Sequence, residues 1–205
     1  MKKATLAGAA GLTAVISASI WWRRNPSACP YGQRWSVQVP HPLITRDRLL
    51  EALAPLAGES LLEVGPGTGY YSLDVAEALG PEGSLDIFDL QQRMLDHTMA
   101  GAAERGIENI RPTQGTAQEL PYESTIFHGA FLVTTLGEIP DQAAAMHELA
   151  RVVRPGGRIV IGELVGDPHW VSPKMIHGHA DGAGLTVERR IGPWLGSFTV
   201  LRKPY

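Results

Sequence analysis

The stretch Ser60-Leu61-Leu62-Glu63-Val64-Gly65-Pro66-Gly67-Thr68-Gly69 constrains this chain more than any other. A short apolar run ends in a turn with glycine at every second position. A helical pattern follows, with Leu73, Val75, Ala76 and Leu79 on one face. Strand, glycine loop and helix form the first βα unit of a nucleotide-binding α/β sheet. Glycine is needed there because only a backbone without side chains lets a ligand come so close. A dinucleotide fingerprint would carry a small residue where bulky Tyr70 stands. No Gly-Lys-Ser/Thr follows, so the loop is not a phosphate-binding P-loop.

The next units repeat the alternation of strand and helix. Ser84 to Phe88 reads as a second strand ending at Asp89, which lies 20 positions past Gly69. That spacing suits a carboxylate accepting bonds from ribose hydroxyls; capping the helix Gln91 to Arg105 is the competing role. Asn109 to Thr113 is a third strand, and Phe127 to Thr134 is a fourth, nearly continuous in apolar residues as a central parallel strand should be. Asp141 starts a helix to Val153, and Arg154-Pro155-Gly156-Gly157 turns the chain into strand five, Arg158 to Glu163. A helix over Ser172 to Gly182 precedes a C-terminal pair of strands, Leu185 to Arg190 and Ser197 to Arg202. Thr45 caps an early helix running to Leu56, with Leu49, Leu50 and Leu53 inward.

Two stretches carry a family resemblance. Glu63 to Gly69 resembles motif I of the class I S-adenosylmethionine (SAM) dependent methyltransferases, and Glu148 to Arg158 looks like the helix-to-strand signature of their small-molecule members. The resemblance runs from about Arg46 to Pro204. It implies a Rossmann-like, doubly wound α/β sheet of seven strands, mostly parallel, with an antiparallel last strand. It implies SAM as cofactor, held by Glu63, Gly65, Gly67, Gly69, Asp89, Thr116, Ala117 and Val133. Thr116 is a departure, because the family usually has aspartate there to bond the adenine amino group. Only Glu123 remains of the acidic pair common before the fourth strand.

Methyl transfer from a sulfonium needs alignment first and a base only if the nucleophile starts protonated. Substrates of α/β sheets sit outside the carboxyl ends of the strands. Tyr70, Tyr71, Glu138, Asp141, Glu163, His169 and Trp170 are expected there. Glu138 and His169 are the catalytic candidates. Glu138 is read either as a group binding a cation or taking a proton, or as a solvated helix cap; Asp141 is read as a helix cap. His177 and His179 lack further ligands at useful spacing, so no metal is expected.

The chain has 205 residues and a net charge of −3, which fits one domain and gives no sign of nucleic-acid binding. Its single cysteine, Cys29, rules out an internal disulfide framework. Lys2 and Lys3 precede a charge-free run, Ala4 to Trp22, that Arg23 and Arg24 close. Residues 1–25 are read as a retained single-span anchor, a cleaved signal peptide, or an amphipathic or disordered tail. Residues 26–44 are a proline-rich linker that either lies along a membrane or covers the site, and 45–205 are the methyltransferase domain. The charges flanking the run leave its orientation tied. SAM use would place the domain on the cytoplasmic side of a membrane, with export after signal cleavage as the alternative. The expected activity is methyl transfer to a small molecule, of lipid or isoprenoid type if the anchor is retained. A non-catalytic SAM-binding scaffold is the alternative.

Overall fold

The computed structural model describes residues 26–33 and 41–205. The expected anchor or signal run falls outside them. Among the described residues no helix is long and apolar enough to cross a membrane.

Seven strands form one sheet in the order β3-β2-β1-β4-β5-β7-β6. They are β1 Ser60–Val64, β2 Ser84–Asp89, β3 Ile110–Gln114, β4 Phe127–Val133, β5 Val153–Leu164, β6 Thr186–Ile191 and β7 Gly196–Arg202. Strands β1 to β5 pair in parallel, while β7 runs antiparallel to both β5 and β6. This is the doubly wound, seven-stranded arrangement the sequence implies. Five helices connect it: α1 Arg46–Leu53, α2 Ser72–Leu79, α3 Gln92–Arg105, α4 Gln142–Val152 and α5 Pro173–Gly182.

Both faces of the sheet are buried, which explains why the central strands read as mostly apolar runs. In β1, Leu61 enters the core shared with α1, α2 and α3, and its neighbour Leu62 enters the core shared with α4 and α5. The helices start where the sequence supplies caps. Thr45, Asp141 and Ser172 accept the backbone N–H groups of Arg48, Ala144 and Met175. Helix α1 ends three residues before the expected Leu56. Ala54 takes a left-handed φ of 44° there and Pro55 follows, which cannot continue a helix.

The Arg154–Gly157 segment is not a free turn. It belongs to β5 as an irregularity, the register with β4 jumping between Phe127↔Val153 and Gly129↔Arg158. The residues that carry the Glu148–Arg158 resemblance have structural work in this molecule. Glu148 and Arg151 form an ion pair of 2.6 Å; Glu148 accepts the Leu120 N–H, and Arg151 donates to the Leu120 and Tyr122 carbonyls. Arg158, buried at the amino end of the sheet, donates to Glu59 Oε1 at 3.0 Å and to the carbonyls of Leu53 and Ala54. It thereby ties the end of α1 to β5.

Candidate functional site

The glycine loop folds back at the carboxyl end of β1. Gly65 donates its N–H to the Phe88 carbonyl at 2.8 Å and takes a φ of 73°, and a Cβ there would lie 2.5 Å from the Thr135 side chain. Glycine at 65 therefore lets the loop after β1 touch the loop after β4. Thr98 of α3 donates its hydroxyl to the Gly67 carbonyl at 3.2 Å and supports the loop from behind.

Beyond this loop lies a cavity of about 320 Å³, within the range of small-molecule sites. Gly65, Pro66 and Gly67 form one wall, and Phe88 and Asp89 from the end of β2 form the next. Gly115, Thr116 and Ala117 follow β3 and line a third side, with Val133 to Thr135 and Glu138 on the fourth. Gly65, Gly67, Asp89, Thr116, Ala117, Val133 and Glu138 thus meet around one space. Glu63 and Gly69 do not line it. Glu63 is 2% exposed within β1, and Gly69 faces Thr98 on α3.

Asp89 sits where both roles weighed from the sequence would place it, beside the start of α3 and in the cavity wall. Its Oδ1 accepts the N–H of Gln91, the residue that precedes α3, at 2.8 Å, and its carboxyl group faces the cavity. Burial raises its pKa, while the backbone N–H groups of Gln91, Gly67 and Leu90 act against that rise.

Glu138 ends a 3₁₀ turn, Leu136–Glu138, directly after β4. Its pKa is pushed up to about 8, first by burial and then by the negative charges of Asp167 and Asp89. An N–H opposes this: Cys29 donates to Glu138 Oε2 at 3.2 Å. The first described residues of the expected linker thus lie at the site. Pro26 to Cys29 line the cavity as a strap, and the Gln91 side chain holds this strap on both sides. Gln91 Nε2 donates to the Cys29 carbonyl at 2.9 Å, and its Oε1 accepts the Tyr31 N–H at 3.2 Å.

The other candidates fall into place around this centre. Tyr70 lines the cavity with the Arg46 guanidinium 4.0 Å from its ring centroid. Tyr71 also lines it, but its hydroxyl is committed to the Ile44 carbonyl at 2.6 Å. Asp141 caps α4. Glu163 is buried behind the wall, where burial and the charges of Asp167 and Glu138 push its pKa up to about 8. Its Oε2 accepts the Val171 N–H at 3.0 Å, whereas Oε1 has no hydrogen-bond partner. His169 and Trp170 stay outside the cavity wall. The His169 carbonyl presses on Gly137, where any Cβ would overlap it, so this contact positions the turn bearing Glu138. Among the described residues no three metal-ligating side chains gather; His179 Nε2 lies 3.0 Å from Gln142 Oε1.

Sequence reasoning missed Gln91 and the strap's grip on Glu138. Gln91 carries no motif, and the strap contacts run through backbone atoms. The only available signal was proximity of Gln91 to Asp89.

Comparison with known proteins fits this geometry. Residues 38–168 match the ubiE/COQ5 methyltransferase family. The chain belongs to that family. The expected family type, with its SAM cofactor, stands on this match. Among curated relatives, the demethylmenaquinone methyltransferase of Lactococcus lactis is 34% identical over 119 residues, 56% of this chain and 46% of the relative. That of Staphylococcus aureus strain JH9 is 31% identical over 117 residues, 57% of this chain and 48% of the relative. The chain spans about half the length of the curated relatives it matches. A SAM-dependent methyltransferase from Aquifex aeolicus superposes with a TM-score of 0.77 at 18% identity, covering 85% of this chain and 98% of that one. The cyclase SpnF superposes at 0.70 and 20% identity, covering 78% and 79%, so the shared fold does not by itself name a reaction.

Proposed function

We propose that this chain is a SAM-dependent methyltransferase acting on a small acceptor of isoprenoid-quinone type. The observation that carries this reading is the convergence of the glycine loop, Asp89 and Glu138 on one cavity that residues 26–29 also line. The residues present fit SAM. Asp89 offers a carboxylate to the ribose hydroxyls, Phe88, Met94 and Ala117 supply apolar walls for the adenine, and Gly65 and Gly67 leave the loop without side chains beside the methionine part. Thr116, at the adenine edge, accepts a hydrogen bond without contributing charge. When bound, SAM supplies a sulfonium-activated methyl group with a good leaving group.

This chain's residues then have three tasks. The strap excludes water from the cavity. Tyr70 and the walls orient the acceptor. Glu138 holds a proton at its carboxyl below about pH 8 and accepts one above it, which suits an acceptor whose hydroxyl or ring carbon gives up a proton as it is methylated. The demethylmenaquinone methyltransferases among the relatives motivate the choice of a quinone acceptor. A retained anchor at Ala4 to Trp22, with the domain on the cytoplasmic side, would keep the site beside such an acceptor.

Titration calorimetry with SAM and its demethylated product tests the cofactor site. Micromolar binding is expected, weakened about tenfold to a hundredfold in Asp89→Ala by loss of hydrogen bonds to a charged group. Methyl transfer to a demethylated naphthoquinol tests the activity. Binding without transfer to any acceptor would favour the non-catalytic scaffold. No binding by the folded chain would overturn the cofactor site itself.

A further inference from the structure

We propose that the carboxyl edge of the sheet docks on an anionic bilayer surface, through the β6–β7 hairpin tip and the first turn of α5. The proposal deepens the reading above, on which its consequence for acceptor delivery rests.

The hairpin turn lies on the same edge as the cavity. Leu164, the last residue of β5, pairs with Gly196, the first of β7, so the connection 192–195 projects beyond the carboxyl ends of the parallel strands. There Trp194 is 66% exposed and Leu195 46% exposed. The tip is held in place, since the Val165 N–H donates to the Leu195 carbonyl at 2.7 Å and the Gly196 N–H to the Pro193 carbonyl at 3.2 Å. Helix α5 begins on this edge too, after the loop that leaves β5. Its first turn exposes Met175 at 47%, fixed by the Ser172 cap on the Met175 N–H. Leu90, exposed at the cavity rim after β2, adds a fourth large apolar side chain. Isolated exposed apolar residues are ordinary, but four on the edge that opens into the site form a pattern.

Charge and connectivity select the bilayer as the occupant. The exposed charges next in sequence to the α5 turn and the hairpin tip are basic, Lys174 beside Met175 and Arg190 near the end of β6, while Asp141 before α4 is an exposed acid on the same edge. Of the carboxyls on this edge, Glu138 and Glu163 are held largely uncharged at neutral pH by burial first and then by neighbouring negative charge, and burial raises the pKa of Asp89 and Asp167 as well. Glu188 pairs with Arg202 toward the opposite end of β6. The described chain begins at Pro26 in the cavity wall, preceded in sequence by the run ending Trp21-Trp22-Arg23-Arg24. Leu43 and Ile44 then lie against Gly196 at the hairpin base. Aromatic and aliphatic tips flanked by Lys and Arg are the composition that settles into an anionic interface. Docked this way, the cavity mouth faces the membrane, where a polyisoprenoid acceptor resides.

Hydrogen exchange of the full chain tests this, on phosphatidylglycerol-containing vesicles, on phosphatidylcholine vesicles and without lipid. Exchange is expected to slow at residues 192–196 and 173–176 on anionic vesicles and to be unchanged at residues 80–83, the turn before β2 on the opposite edge. The protection should fall about fivefold for each charge removed in Lys174→Gln and Arg190→Gln. Unchanged exchange at both tips would overturn the proposal, whether or not the chain binds the vesicles through its N-terminus. So would protection that appears without lipid and grows with protein concentration, which would assign the tips to a second copy. SAM titration on the same samples reports separately on the cofactor site, so failure of docking and failure of the methyltransferase reading are distinguishable.

Discussion

Glu63→Gln should flatten the pH dependence of stability. Glu63 lies in β1 between Ile87 of β2 and Phe131 of β4, is 2% exposed, and has an Oε2 without a hydrogen-bond partner. Burial, with the Asp89 charge adding to it, pushes its pKa up to about 8 from an ordinary value of 4.5. Between those values the folded chain keeps a proton that the unfolded chain has released. Stability from this group is therefore fully present below about pH 4.5 and is lost as pH rises toward 8. The slope is about −1.4 kcal/mol per pH unit while the folded carboxyl stays protonated. Glu138 and Glu163 carry the same sign, but they share Asp167 as a neighbour and titrate together, which makes Glu63 the cleaner probe. His41, whose pKa burial lowers, contributes with the opposite sign and mainly below its ordinary value of 6.5. Urea unfolding at pH 6.5, 7.0 and 7.5 avoids most of that contribution. The wild-type chain should lose stability across this window, and Glu63→Gln should lose less, by about 1 kcal/mol over the unit. Equal slopes in the two proteins, or wild-type stability that rises with pH, would refute the reasoning.

Three further outcomes follow from the geometry. In Glu138→Gln, turnover should lose the limb that rises toward about pH 8 while SAM affinity measured by calorimetry stays near wild type, because the group ionises only at that pH and faces the acceptor side. Arg158→Ala should cost about 3–5 kcal/mol in urea unfolding, since it leaves the buried Glu59 carboxylate and the Leu53 and Ala54 carbonyls unpaired. Gly65→Ala should weaken both stability, by about 1–3 kcal/mol, and SAM binding, because a Cβ meets Thr135 at 2.5 Å on a backbone with φ of 73°.

Much of this was legible because the relevant physics is local. A glycine-spaced turn after an apolar strand announced the loop, and Thr45, Asp141 and Ser172 announced three helix starts. Asp89 was placed by spacing alone. What stayed hidden depends on long-range packing. Glu63 carries the acidic signature yet is buried in β1, an outcome set by flanking strands distant in sequence. Gly69 meets Thr98 on α3, where a Cβ would lie 2.9 Å from its methyl group on a backbone with φ of 80°. The Glu138–Cys29 contact spans 109 positions, and no periodicity in residues 26–33 foretells it.

The strap has a consequence for how such a site drifts among descendants. Cys29 reaches Glu138 with its N–H and Gln91 with its carbonyl, so both contacts belong to the main chain. Nineteen amino acids at position 29 would keep the donor, and only proline would delete it. The lid can therefore shed its original side chains, one lineage after another, while its hold on Glu138 persists. Its inheritance is written in chain length and path, where a column of aligned letters would register only noise.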